Sequence, residues 1–133
     1  MTRGPVHETL DAFHAAAARA DADALLARFA PDGVFLGTDA TERWEGDAFR
    51  TFVAGRFAGG VGWTLATTRR AVEVRGGVAW FDEDLEHARM GPLRGSGVLV
   101  LGADGRWRVA QYNLAVTVPN ARFEAVKAAI SAR

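Results

Sequence analysis

Side chains able to do chemistry gather in a few short stretches of this chain. Residues 38–45 place Asp39, Thr41, Glu42, Arg43, Trp44 and Glu45 in one loop after the strand-like run Val34-Phe35-Leu36. Residues 82–84 are consecutive acids, Asp82, Glu83 and Asp84, just beyond Trp80. Residues 107–113 carry Trp107, Gln111 and Asn113. His7, Asp11 and His14 stand at i, i+4 and i+7, on one side of a helix.

Each group has a chemical reading and a plain one. Strand alternation puts Val78, Trp80, Asp82 and Asp84 on one face and Ala79, Phe81, Glu83 and Leu85 on the other. If the first face points inward, Asp82 lies against an aromatic wall. Desolvation would then raise its pKa and suit it to acid–base catalysis near neutral pH. The plain reading is a solvated acidic run where the strand meets water. On the later stretch, Trp107, Val109, Gln111 and Asn113 share a face, apolar at first and amide-bearing further along. That suits a pocket that fixes a ligand by a few hydrogen bonds. Alternatively Tyr112 and Leu114 face the core and the amides face solvent or a partner. A one-residue register error would reverse these assignments and bring Phe81, Glu83 and Tyr112 inward.

In the first loop, Asp39, Glu42 and Trp44 either line the mouth of a cavity or serve turn and capping chemistry. Trp63, at the start of a long strand, reads as core. The His7–Asp11–His14 spacing could hold a metal through two imidazoles and a carboxylate. That stripe borders the apolar one on a helix that needs a polar side anyway, so no metal is expected. No glycine-rich phosphate loop, dinucleotide fingerprint or Ser-His-Asp order appears, so no cofactor is expected. Gly91-Pro92-Leu93-Arg94-Gly95-Ser96 reads as a hairpin, with Arg94 and Ser96 as weak candidates for a ligand anion.

The elements that must position these groups follow from periodicity. Residues 5–19 read as a helix, with Pro5 in its first turn and Val6, Leu10, Phe13 and Ala17 as the apolar stripe. Asp21 can cap a short helix over 21–29. Pro31-Asp32-Gly33 marks a turn, and residues 34–38 a short strand. A third helix over 46–58 carries Phe49, Phe52, Val53 and Phe57, and Gly59-Gly60 ends it. From residue 62 the period changes from 3.6 to 2, and long strands joined by hairpins run to 118. Pro119 ends the last of them, and Asn120 can cap a short helical tail. Helices first and hairpins later predict one α+β domain over 1–133, a curved antiparallel sheet packed on N-terminal helices. Such a sheet closed on one side makes a cone with an interior.

Composition limits the functions available. The 133 residues suit one domain and one core. Formal net charge is zero, with Lys and Arg scattered, so neither nucleic acid nor an anionic membrane is an expected partner. There is no cysteine, hence no disulfide and no thiolate nucleophile or ligand. No signal-like run and no membrane-length apolar stretch is seen, so a cytoplasmic protein is expected.

The order helix, helix, short strand, helix, long hairpins is similar to the nuclear transport factor two-like superfamily, which includes ketosteroid isomerases and SnoaL-type polyketide cyclases. Gly37–Gly46, Val78–Glu83, Pro92–Leu99, Trp107–Leu114 and Pro119-Asn120 resemble the SnoaL-like domain proteins within it. The resemblance implies a cystatin-like cone, a small-molecule pocket and a homodimer through the outer sheet face. It is poor for the reaction, because one fold hosts many. The isomerases use an aspartate at the end of the first strand and a first-helix tyrosine. Here those places hold Gly37-Thr38, with Asp39 slightly late, and Phe13-His14. A true ketosteroid isomerase is therefore not expected.

The functional expectation is a protein that binds a small molecule with an apolar body, with chemistry of the isomerase, cyclase or hydratase type. The alternatives are a non-catalytic binding module and a dimeric interaction module. The expected pocket has Trp44, Trp80 and Trp107 as walls, and Asp82 as the acid–base group. Gln111 and Asn113 are its polar contacts, with Asp39 or Glu42 near the mouth.

Overall fold

A computed structural model describes residues 2–132. The chain runs α1 (Gly4–Ala18), α2 (Ala22–Ala27), β1 (Phe29–Leu36), β2 (Arg43–Glu45), α3 (Asp47–Phe57), β3 (Ala66–Arg75), β4 (Val78–His87), β5 (Gly91–Leu101), β6 (Trp107–Val116), a 3-10 turn (Asn120–Arg122) and α4 (Phe123–Ser131).

The helices form where the sequence says they should. The α1 stripe Val6, Leu10, Phe13 and Ala17 is buried. Asp21 caps α2, its Oδ1 accepting from the Ala24 N–H at 3.0 Å. On α3, Phe49, Val53 and Phe57 are buried while Phe52 is half-buried. Gly62 lets the following segment close on α1: a Cβ there would overlap the Ala17 carbonyl, which also accepts from the Trp63 N–H at 3.1 Å. That contact delays β3 to residue 66, four positions after the expected start.

Six strands make one sheet in the order β2-β1-β6-β5-β4-β3. Every pair is antiparallel except β1 with β6, which run parallel. The chain leaves α2 directly alongside β6, with the Arg28 carbonyl accepting from the Val109 N–H at 2.8 Å. The second helix therefore stops at Ala27, and Phe29 already pairs with Val109. Two further details escape a simple period: β2 lies inside the polar loop and pairs with the end of β1, and Pro31–Gly33 form an irregularity within β1.

The concave face of the sheet packs on α1 and α3. Ala79, Phe81, Glu83 and Leu85 of β4 point into it, as do Leu93 and Leu99 of β5. On β6, Trp107 and Val109 face inward, and then so do Tyr112 and Leu114. This switch of parity has a local cause. Val98 pairs with Gln111 but the next residue, Leu99, pairs with Val109, so Ala110 is an extra residue on β6. A β-bulge of this kind turns the strand and re-aims every side chain beyond it. Rings fill the interior. Tyr112 stacks on Phe35 at 5.4 Å and on Phe13 at 5.7 Å, and Phe35 stacks on Phe49 at 5.1 Å.

Candidate functional site

A pocket of about 280 Å³ opens at one end of the cone. Its walls are aromatic and aliphatic: Phe35 from β1, Trp44 from β2, Phe52 from α3, then Trp63, Leu65 and Leu114. These rings continue the core stack outward. Trp44 lies flat on Phe52 with centroids 3.9 Å apart, and Trp63 contacts Phe52, Phe57 and Phe35. The polar lining comes from the loop after β1 (Thr38, Glu42), the last turn of α3 (Arg56), and the end of β4 with its turn (His87, Arg89).

Two titratable lining groups are held in defined states of hydrogen bonding. Glu42 is half-buried, and its Oε1 accepts from the Asp39 N–H at 2.9 Å. Gly37 permits this, because a Cβ there would overlap the Glu42 side chain. Oε2 of Glu42 accepts no hydrogen bond among the described residues. His87 Nδ1 accepts from the backbone N–H groups of Arg89 at 3.2 Å and Met90 at 3.1 Å. A ring nitrogen that accepts twice carries no proton, so the ring's N–H is at Nε2. His87 thus offers the pocket a donor, and Glu42 offers an acceptor.

A second polar cluster lies deeper, under the sheet. Glu83 is fully buried. Its Oε2 accepts from the Tyr112 hydroxyl at 2.6 Å and lies 2.7 Å from His14 Nε2, while its Oε1 accepts from Arg70 Nε at 2.7 Å. Arg70 Nη1 in turn pairs with Asp11 Oδ1 at 2.9 Å and donates to His7 Nδ1 at 3.2 Å. Burial alone would raise the Glu83 pKa. The hydrogen bond and charge of His14, with the bonds from Tyr112 and Arg70, outweigh it and hold Glu83 at about 2. Burial, followed by the adjacent Glu83 charge, pushes the Tyr112 hydroxyl well above its usual value. Gly95 makes the cluster possible. It pairs with Glu83 on one side and Leu114 on the other, and a Cβ on it would overlap the Tyr112 hydroxyl.

The expected site residues therefore separate into groups. Glu42 and Trp44 line the pocket. Asp39 is exposed beside it, and its carboxylate accepts from the Thr41 N–H at 2.9 Å. Trp107 is buried, but against the α1 side of the core. Asp82 is corrected to the outer face, where it pairs with Arg69 at 2.5 Å and its side chain is 51% exposed. Trp80 is 40% exposed on that face, with Arg75 over its ring at 5.3 Å. Gln111 and Asn113 are also outside: Trp80, Val98 and Gln111 form one row across the strands, and Asp82, Ser96 and Asn113 the next. These four residues do come together, on the convex side. The inward set on β4 is the other one, Phe81 and Glu83. The His7–Asp11–His14 stripe is engaged by Arg70 and Glu83 rather than assembled as a ligand set.

Phe35, Phe52, Trp63, His87, Arg56 and Arg89 were not singled out for the pocket by sequence. His87 carried a signal, an imidazole at a strand end three residues before Met90-Gly91. No helix among the described residues is long and apolar enough to cross a membrane.

Solved structures share this architecture. An NTF2-like protein of unknown function from Pseudomonas putida KT2440 superposes with a TM-score of 0.74 at 12% identity, over 89% of this chain and 88% of that one. A proposed dehydratase of the NTF2-like family from Streptomyces avermitilis gives 0.74 at 15%, over 87% and 96%. A proposed ketosteroid isomerase from Shewanella frigidimarina NCIMB 400 gives 0.67 at 14%, over 83% and 94%. At such identities the likeness establishes the fold alone. No curated protein matches the chain in sequence. The model of the SnoaL-like domain matches residues 6–119, nearly the whole chain, and the protein belongs to that family.

Proposed function

We propose that the protein binds a small molecule with a flat apolar body in the pocket at the cone mouth and transfers a proton on it. The carrying observation is the pairing, within one aromatic-walled pocket, of an uncommitted carboxylate oxygen on Glu42 with a fixed Nε2–H donor on His87. Glu42 would accept a proton from carbon next to a carbonyl, and His87 would donate a hydrogen bond to the oxygen as charge develops there. That division of labour serves isomerisation and elimination alike. Asp39 supports it indirectly, since its N–H orients Glu42. At about 280 Å³ the pocket is near the lower limit of ordinary ligand sites, roughly 300–1,000 Å³. It suits one or two rings better than a steroid.

The test is deuterium exchange of 2-tetralone in D2O, followed by NMR. Glu42→Gln should slow exchange by about 10²–10⁴-fold, the usual worth of a general base, while leaving binding intact. If wild-type protein binds the ketone but exchanges it no faster than buffer, the non-catalytic binding module becomes the reading.

The outer sheet face supports a homodimer as the assembly. Trp80 and Val78 are 40% and 44% exposed there, beside half-buried Val98 and Val100. A contiguous apolar surface of this sort calls for cover. Light scattering is expected to report twice the 14.3 kDa chain mass; a monomer at working concentration contradicts the dimer.

A further inference from the structure

The charges at the pocket's edge point to a particular class of ligand. The chain as a whole has zero formal net charge. The pocket lining does not: it holds Arg56 and Arg89 against one carboxylate, Glu42. Among the described residues, neither arginine is in an ion pair. Arg56 reaches only the Gly62 carbonyl, at 3.3 Å, and the Arg89 guanidinium has no protein partner among the described residues. Elsewhere some arginines find acids, Arg69 with Asp82 and Asp84, Arg108 with Asp104, Arg43 with Glu45, Arg3 with Glu73, while others such as Arg28, Arg50 and Arg106 make no ion pair among the described residues. What distinguishes Arg56 and Arg89 is that both uncommitted guanidiniums line one pocket walled by Trp44, Phe52 and Trp63.

Their placement is also specific. Arg56 comes from the last turn of α3 and Arg89 from the turn after β4. The same pocket is lined by the rings of Phe52 and Trp63 and by the imidazole of His87, whose free nitrogen is a donor. The polar lining thus offers three donors, Arg56, Arg89 and His87, with one acceptor, Glu42, alongside flat apolar rings. Planar guanidinium forks match a carboxylate through paired hydrogen bonds. The lining contains no helix N-terminus of the kind that cradles phosphate.

We propose that the pocket selects a planar aromatic carboxylic acid of one or two rings, its ring system against Trp44, Phe52 and Trp63 and its carboxylate between Arg56 and Arg89. This rests on the reading of the pocket as a small-molecule site and names the ligand class for it. Arg56 and Arg89 would be specificity-determining residues; the proton-transfer groups Glu42 and His87 remain separate from them.

The test uses 2-naphthoate and its neutral isostere 2-naphthamide, with wild-type protein and with Arg56→Gln, Arg89→Gln and the double variant. Affinity is measured by calorimetry, and location by the indole N–H resonances. Trp44 and Trp63 report the pocket, whereas Trp80 and Trp107 lie outside it. The expected result is that naphthoate binds at least tenfold tighter than naphthamide and shifts Trp44 and Trp63. Each single variant should lower naphthoate affinity severalfold, the double variant should bring the two probes within about twofold, and naphthamide affinity should stay put. Amide binding as tight as acid, or an acid preference that survives the double variant, overturns the inference and leaves the pocket reading standing. Failure of both probes to move Trp44 and Trp63 in wild-type protein overturns the pocket reading and this inference with it.

Discussion

Glu83 and Glu42 are both carboxylates that the fold holds by hydrogen bonds, and they differ in what is left over. Glu83 is fully buried and accepts on both oxygens, from Tyr112 and Arg70, with His14 at 2.7 Å. Nothing about it is free to receive a substrate proton, and its pKa is held at about 2. Glu42 is half-buried, is bonded on one oxygen only, and lines an open pocket. The first carboxylate has spent its bonding capacity on the fold, and the second has kept half of it. A strongly shifted pKa is often taken as a mark of function, yet ion-pair networks shift pKa values too. In this chain, access and an uncommitted atom discriminate better than the shift does.

The strongest way to break that contrast is Glu83→Gln. It leaves Arg70 buried with only Asp11 as counter-charge, and removing one partner of a buried ion pair costs about 3–5 kcal/mol. Urea denaturation should show a loss of that size, a large share of ordinary domain stability of about 5–15 kcal/mol. The pH dependence checks the cause. Glu83 has a folded pKa of about 2, below its usual 4.5, so the native state binds fewer protons than the unfolded one in that interval. Its contribution is fully present above about pH 4.5 and is lost as pH falls toward 2. Wild-type stability should therefore decline through that window, and Glu83→Gln should flatten the decline. An unchanged slope in the variant would remove Glu83 from its structural role.

A milder probe is Tyr112→Phe. It deletes one hydroxyl that donates to Glu83 at 2.6 Å but keeps the ring stacked on Phe35 and Phe13. Glu83 retains Arg70 and His14, so the cost should be about 1.5–3 kcal/mol, the scale of one hydrogen bond to a charged group. Binding of naphthamide in the pocket should not change, because Tyr112 does not line it. A selective loss of binding with little loss of stability would join the two clusters into one site.

How much of this was readable in advance depended on which periodicity survived folding. The α1 and α3 stripes held because nothing interrupts a 3.6-residue repeat there, and the cone followed from helices preceding hairpins. Facing on the strands was harder. Alternation on β4 correctly grouped Trp80 with Asp82 and Phe81 with Glu83, but alternation carries no label for inside. An intuition that acids stay out and tryptophan goes in conflicts with itself on this strand. The protein resolves the conflict by burying Glu83 with three partners and leaving Trp80 under Arg75. On β6 the bulge at Ala110 made a single alternation wrong for half the strand whichever face was chosen. Bulges depend on pairing across strands, which one strand's sequence does not show. The Glu42–Trp44 side of the pocket was legible because it is local. The Arg56–Trp63–His87 side was not, since segments far apart in sequence close over one cavity.

The smallest expected effect sharpens the contrast from the other end. Asp82 stands beside Glu83 in sequence and bears the same charge, but it lies on the convex face, half exposed and bridged to Arg69. Arg69 also holds Asp84 at 3.0 Å, so Asp82→Asn leaves the arginine paired. Exposed ion pairs gain little because water already solvates both charges and salt screens them. Asp82→Asn should therefore leave the melting temperature unchanged within error, and 2-tetralone exchange should proceed at the wild-type rate. Neighbouring carboxylates would then differ from a severe loss to none, with strand facing as the sole cause. If Asp82→Asn instead stops exchange in a folded protein, the convex face carries the chemistry. The pocket reading built on Glu42 would then fall.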